Sequence, residues 1–304
     1  MRYFDLHCDT IGECCKCGLP LCKNNLHFDL QRAKSLGECV QVFAVWIPDE
    51  LRGKEALNYF NKVADYFYAE LENNKNYISL YGDKAQTPVK AILAVEGASA
   101  TGGTIQGLKE LYNRGVRLVT LTWNQKNEIA SGAFSEGGFT DFGKEFVSCA
   151  EEYGIVLDVS HLNRESFFEF LEISRKPFVA SHSNSDIVDN FYAHSRNLTE
   201  EQIIAIKNRG GLIGLNFCKD FIETPTKTGL SALCNQIDYF ISLGCEKNIT
   251  LGSDYDGCVI NDELCGIEKI PDVYNGLIKR GYCKNLINDI FYNNAYSFFE
   301  NFSI

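Results

Sequence analysis

Six residues able to ligate a metal or move a proton stand where short apolar runs end. In Tyr3-Phe4-Asp5-Leu6-His7-Cys8-Asp9-Thr10 a strand-like start runs straight into His7 and Asp9. Residues i and i+2 of a strand point to the same side, so an imidazole nitrogen and a carboxylate oxygen can meet at one point there. Such a pair suits zinc or a similar divalent ion. Glu96 ends Ala91-Ile92-Leu93-Ala94-Val95, His161 follows Leu157-Asp158-Val159-Ser160, His182 follows Phe178-Val179-Ala180-Ser181, and Asp254 follows Leu251-Gly252-Ser253. Asn124 and Asn216 close two further runs of the same kind. The chain has five histidines, and three of them occupy these ends; His27 falls outside the set as a surface loop residue, and His194 has no assigned role. Imidazoles and carboxylates gathered at one rim would make a metal site.

They share a rim only if the fold brings those ends together. Apolar, β-branched and aromatic runs before His7 and at 39–46, 91–95, 116–123, 155–159, 177–180, 212–216 and 249–252 read as eight strands. Helical spacing lies between most of them, at 56–73, 108–112, 142–153, 163–174 and 231–243, with a last helix from about Leu286. Asn163 is placed to cap one helix, and Thr199 with Gln202 forms a capping-box start for another. Alternating strands and helices build parallel βαβ units, and eight strands predict a closed (β/α)8 TIM-type barrel over residues 1–304 as one domain. A doubly wound sheet would place a glycine-rich turn after its first strand, where His7 and Asp9 stand instead. In a barrel all eight C-terminal strand ends open on one mouth.

Composition narrows the partners. Lys and Arg number 29 against 40 Asp and Glu, a formal charge of −11, which argues against nucleic acid or an anionic membrane surface. Hydrophobic residues at 45% supply a sizeable core. Thirteen scattered cysteines fit reduced thiols in a cytoplasmic protein better than a disulfide framework. The dense group Cys14, Cys15, Cys17 and Cys22 has no partner Cys-x-x-Cys and carries no functional reading. The start of the chain has no signal-peptide apolar region, and no apolar run is long enough to span a bilayer.

The chain resembles the renal-type (membrane) dipeptidases of the amidohydrolase superfamily. The likeness runs in order through Asp5-Leu6-His7-Cys8-Asp9-Thr10, Val95-Glu96-Gly97, Leu157-Asp158-Val159-Ser160-His161, Ser181-His182-Ser183, Ser195-Arg196-Asn197 and Gly252-Ser253-Asp254-Tyr255-Asp256-Gly257. It implies two divalent metal ions, zinc first among them, one held by His7, Asp9 and Glu96 and the other by Glu96, His161 and His182. Glu96 would bridge them. A water between two such ions is acidic enough to act as hydroxide near neutral pH. Asp254 would take its proton and pass it to the leaving amine. Arg196 matches the family's binder of the substrate carboxylate, with Tyr255 beside the same pocket. Members often dimerise, so a homodimer lies within what the resemblance implies.

One position departs from the pattern. The best-known members carry a histidine in the fourth-strand motif where this chain has Trp123, in Leu121-Thr122-Trp123-Asn124. An indole N–H is a single donor and accepts no proton. Asn124 is then the substitute stabiliser of the carbonyl oxygen, with Trp123 as a contact to substrate. The expected activity is zinc-dependent hydrolysis of dipeptides with a free C-terminal carboxylate, with a D-residue tolerated at the second position. The rivals are hydrolysis of a lactone or N-acyl amino acid at the same metals, and a non-catalytic metal-dependent binding protein.

Overall fold

The structure, a computed structural model, describes residues 1–302; Ser303 and Ile304, the end of the stretch read as one barrel, lie outside the described residues. Nine strands form: β1 Arg2–Cys8, β2 Glu38–Trp46, β3 Ile78–Leu80, β4 Val89–Glu96, β5 Val116–Thr120, β6 Val156–Asp158, β7 Val179–Ala180, β8 Leu212–Leu215 and β9 Ile249–Leu251. Every pairing is parallel. β1 pairs with β2, β2 with β4, β4 through β9 pair in sequence, and β9 returns to β1. The result is the closed eight-stranded barrel. β3, absent from the sequence reading, is a short extra strand on the entry half of β4.

Side-chain alternation fills the barrel. Phe4 and Leu6 of β1, Val40, Val42 and Ala44 of β2, and Ile92 and Ala94 of β4 meet Leu118, Val156, Val179 and Leu212 in one buried cluster. Phe298 and Phe299 of the helix Asn294–Asn301 join it, and Phe299 stacks on Phe4 at 5.2 Å. A larger apolar layer lies between strands and outer helices, among them the amphipathic helix Gly53–Asn73 with Phe60, Val63 and Phe67 buried. Asn163 accepts from the Ser166 amide at 2.7 Å, and Thr199 with Gln202 closes the capping box, as their spacing predicts. The cysteine group lies on and just after the helix Thr10–Cys17; all thirteen cysteines are free thiols. No helix among the described residues is long and apolar enough to cross a membrane.

Register aligns the outgoing ends: Trp46 of β2 pairs with Glu96, Glu96 with Thr120, and Thr120 with Asp158. One expectation about geometry changes. The β1 pairing shifts register between Asp5 and Cys8, and Asp9 already stands at the N-cap of the next helix with φ −97° and ψ 4°. His7 and Asp9 therefore meet through a bulge and a turn, a common way to re-aim a side chain beside an active site, and not through simple strand alternation.

Candidate metal centre

Two fully buried aspartates fasten the strand ends that carry the site. Asp5 on β1 accepts from the Ser253 amide at 2.8 Å, the Ser253 hydroxyl at 2.5 Å and the Tyr3 hydroxyl at 2.9 Å. This ties β1 to the turn after β9. Asp158 on β6 accepts from the Thr120 and Ser181 hydroxyls, both at 2.6 Å, and from the Ser160 and Ser181 amides at 2.9 and 2.8 Å. It thereby joins β5, β6 and the end of β7. A buried carboxylate survives when donors surround it, and these two have them.

The six donors converge on these fixed ends. Ligand atoms of His7, Asp9 and Glu96 lie within 4.8 Å of one another, and so do those of Glu96, His161 and His182. Glu96 belongs to both groups. Its Oε2 is 3.7 Å from His7 Nε2, and its Oε1 is 2.9 Å from His161 Nε2 and 3.3 Å from His182 Nε2. His7 Nε2 lies 3.4 Å from Asp9 Oδ2 and 4.0 Å from Asp254 Oδ1, and its ring stacks on His182 at 3.8 Å.

Hydrogen bonds decide which imidazole nitrogens are free. The Ser181 hydroxyl donates to Asp158, so Ser181 Oγ accepts from His182 Nδ1 at 2.7 Å. His161 Nδ1 meets Asn124 Oδ1 at 3.0 Å. Both Nδ1 atoms hold the proton, and both Nε2 lone pairs face each other across 2.9 Å beside a carboxylate oxygen. Lone pairs so placed repel unless a cation lies among them. His7 Nδ1 and Nε2 and Asp9 Oδ1 are buried with no hydrogen-bond partner, as suits atoms that ligate a cation.

Electrostatics agree. Burial pushes the Glu96 and Asp9 carboxyls up, and neighbouring carboxylates add to it. Burial works against a charged His7, yet Glu96, Asp9 and Asp254 lift it to about 10. Burial, with the cations Arg196 and His7, drives His161 and His182 well below the ordinary range, so both are neutral imidazoles able to ligate a metal. Nitrogen and oxygen donors of this kind suit zinc.

The site lines a cavity of about 710 Å³ together with Trp46, Trp123, Asn124, Phe221 and Asp254. Among the described residues only His161, Asp254 and Asp256 outside glycine have φ in the left-handed region, at 69°, 60° and 69°, and all three line this cavity. Strain of this kind is held in place where side chains must point one way. Asp254 Oδ2 accepts from Asn216 Nδ2 at 3.0 Å, leaving Oδ1 toward His7. Trp123 sets its edge against Trp46 at 4.9 Å. Asp256 accepts from Thr10 and from the His27 amide, whose half-buried ring accepts the Asp256 amide, so His27 is a clamp and not a free loop residue. His194 is exposed beside Asp189.

Two expected substrate contacts stand differently. Tyr255 is fully buried, with its hydroxyl donating to the Leu264 and Gly266 carbonyls and its ring on Phe217. It is a support beneath the cavity, because its one polar atom is spent on backbone. Arg196 is buried, gives Nη1 to Ser183 Oγ and Nη2 to the His182 carbonyl, and keeps Nε without a partner. Phe221, which lines the cavity, lies over its guanidinium at 5.7 Å, while Arg196 is not itself a lining residue. Asn216 was legible as the polar end of a strand, and its part is to hold Asp254; the supports Asp158 and Ser181 went unread because they look like ordinary strand-end polar residues.

The profile of the family described as membrane dipeptidase (peptidase family M19) matches residues 1–302. An uncharacterised protein from the pqqA 5′ region of Klebsiella pneumoniae is 30% identical over 212 residues, 66% of this chain and 77% of that protein. An uncharacterised dipeptidase of Schizosaccharomyces pombe is 29% identical over 64% of this chain, a match spanning only 48% of its own length. Among solved structures, a metallopeptidase from Rhodobacter sphaeroides, liganded with a phosphinate mimic of the dipeptide L-Ala-D-Ala, superposes with a TM-score of 0.90 at 22% identity, covering 99% of each chain.

Proposed function

The chain belongs to the membrane dipeptidase family, peptidase family M19, and we propose that it is a metal-dependent dipeptidase acting on short peptides with a free C-terminal carboxylate. The observation that carries this is the pair of donor groups sharing Glu96, with the His161 and His182 lone pairs converging on it. His7, Asp9 and Glu96 would hold one divalent cation, and Glu96, His161 and His182 a second, zinc by the chemistry of the donors. Bound there, such cations polarise a carbonyl and make water acidic near neutral pH.

The chain's own groups supply the rest. Asp254 accepts the proton of the attacking water at Oδ1 and returns it to the leaving amine, while Asn216 keeps Oδ2 fixed. Asn124 uses Oδ1 to hold His161, which leaves its Nδ2, without a protein partner among the described residues, to donate to the scissile carbonyl oxygen. Trp46 and Trp123 exclude water on one side and present an apolar wall to a substrate side chain. The unpartnered Arg196 Nε is the donor for the substrate carboxylate, reached once Phe221 shifts. The dipeptide mimic carried by the Rhodobacter sphaeroides protein supports including a D-residue at the second position.

The test is hydrolysis of L-L and L-D dipeptides by zinc-loaded protein, alongside the same peptides amidated at the C-terminus. Turnover lost on amidation, and KM raised selectively for the free acids in Arg196→Ala, are the expected results. A lactone, which has no free carboxylate, is the second reading, favoured by one fact: both Nη atoms of Arg196 are already engaged with the protein. Equal turnover of acid and amide would shift the assignment that way.

A further inference from the structure

The cavity wall carries two sulfurs that this reading leaves unused, beside the carboxylate of Asp254. Cys218, Asp254 and Cys258 present two sulfurs and a carboxylate oxygen that all lie within 4.8 Å of one another, and all three residues line the cavity. Cys218 is buried, and Cys258 is partly open to the cavity. Backbone contacts hold the two sulfur-bearing loops together. Cys218 forms an antiparallel bridge with Ile260, Lys219 N donates to the Val259 carbonyl at 2.9 Å, and Cys258 Sγ rests 3.6 Å from the Asp254 carbonyl. The amide of Cys218 donates to Asn216 Oδ1 at 2.6 Å, the same asparagine that holds Asp254.

We propose that Cys218, Cys258 and Asp254 form a separate site for a soft divalent cation, zinc in excess or cadmium, and that filling it withdraws Asp254 from proton transfer. The inhibitory half rests on the role given to Asp254 above; the binding half does not. In tetrahedral zinc sites sulfurs at about 2.3 Å from the metal stand roughly 3.8 Å apart. A sulfur and a carboxylate oxygen on one such ion stand roughly 3.5 Å apart, so the three donors need to close by about 1.3 Å at most, and the fourth position faces the cavity. Binding takes up the cation and releases both thiol protons to solvent. The centre built on Glu96 offers only nitrogen and oxygen donors, whereas this site offers two sulfurs, so a softer ion partitions to it. Asp254 would then be a ligand at one carboxylate oxygen and a poor base at the other.

The experiment titrates cadmium into protein already loaded with zinc, for the wild type, Cys258→Ser and Cys218→Ser/Cys258→Ser. Circular dichroism and melting show that each variant is folded. The readouts are bound cadmium per chain, the thiolate-to-cadmium ultraviolet band, and the ratio of activity in excess cadmium to activity without it. The wild type should bind one more equivalent than the double variant with a correspondingly stronger band, which cancels the other cysteines. Its activity ratio should fall by about 10²-fold, the low end of what a general base contributes, against less than about twofold in the double variant. Equal stoichiometry and equal bands overturn the site, as does finding the two thiols joined as a disulfide in freshly isolated protein. If no peptide is turned over at all, the band and the stoichiometry still decide the site, so that failure stays distinct from failure of the dipeptidase reading.

Discussion

Replacing Asp158 by asparagine should damage both the barrel and the metal centre, although Asp158 is not itself one of the converging donors. One carboxylate oxygen of Asp158 takes the Ser160 and Ser181 amides, and the other takes the Thr120 and Ser181 hydroxyls. In Asp158→Asn the amides keep an acceptor, but an NH2 group faces the two hydroxyls. Hydrogen bonds to a charged group are worth about 1.5–3 kcal/mol each, so losing two costs about 3–6 kcal/mol, a large share of a domain's usual stability. The Ser181 oxygen would also receive the new N–H in competition with His182 Nδ1, which loosens the ring and its tautomer. Removing such a supporting contact weakens metal binding about 10–100-fold. Ser181→Ala separates the two effects: the same loss of metal affinity, with the loss of one hydroxyl bond to the carboxylate, about 1.5–3 kcal/mol of stability. Urea unfolding of the chelator-treated protein and chelator competition for zinc measure the two quantities. An Asp158→Asn protein with an unchanged unfolding midpoint and unchanged zinc affinity would refute the reasoning.

Asp254→Asn should retain its full zinc content and lose about 10²–10⁴ in kcat, checked by metal analysis beside steady-state kinetics; unaltered kcat would remove Asp254 from the chemistry. The metal-free chain should lose stability as pH rises from 7 to 10. His7 is lifted to about 10 against an ordinary 6.5, by Glu96, Asp9 and Asp254 acting against burial, so the folded state holds the extra proton. That contribution is complete below about 6.5, fades as pH climbs through about 10, and has a slope of up to about 1.4 kcal/mol per pH unit. Burial raises the Cys39 and Cys14 thiols too, which acts in the same direction. Unfolding midpoints in chelator at pH 7, 8 and 9 test the slope, and a flat series would count against the charge arrangement. Gly252→Ala should cost about 3 kcal/mol, the upper range for overpacking, because its Cβ would lie 1.8 Å from the Ser181 carbonyl oxygen inside the barrel. Thermal melting reads this directly, and wild-type melting would mean that the carbonyl moves aside.

Strand existence was legible because burial on both faces makes parallel strands continuous apolar runs. The eight runs read from sequence are the eight strands of the closed barrel. Strand ends were less so: the run through Trp123 stops as a strand at Thr120, since Leu121 onward belongs to the turn that delivers Asn124. β3 has three residues and no period to detect, and the helix Thr10–Cys17 is too short and too cysteine-rich to show one. The β1 bulge cannot be seen in a sequence that alternates well on paper.

The converging donors were legible for a different reason, which is that imidazoles are few and each one at a strand end is informative. Their supports were not. Asp5 and Asp158 read as polar interruptions of apolar strands, yet each is fully buried and joins neighbouring strand ends through hydroxyls. A buried aspartate inside a strand is costly unless several donors meet it, so its presence in Phe4-Asp5-Leu6 and Leu157-Asp158-Val159 already implies serine or threonine partners on adjacent strands. Ser253, Thr120 and Ser181 are those partners, and Ser181 and Ser253 each immediately precede a site residue, His182 and Asp254. The same logic separates Tyr255 from its neighbour. The Asp254 carboxylate keeps one oxygen toward the cavity, whereas the Tyr255 hydroxyl spends itself on two carbonyls beneath it. Side-chain type therefore points to the mouth of the barrel, and only hydrogen-bond partners tell which residues act there and which hold the acting ones in place.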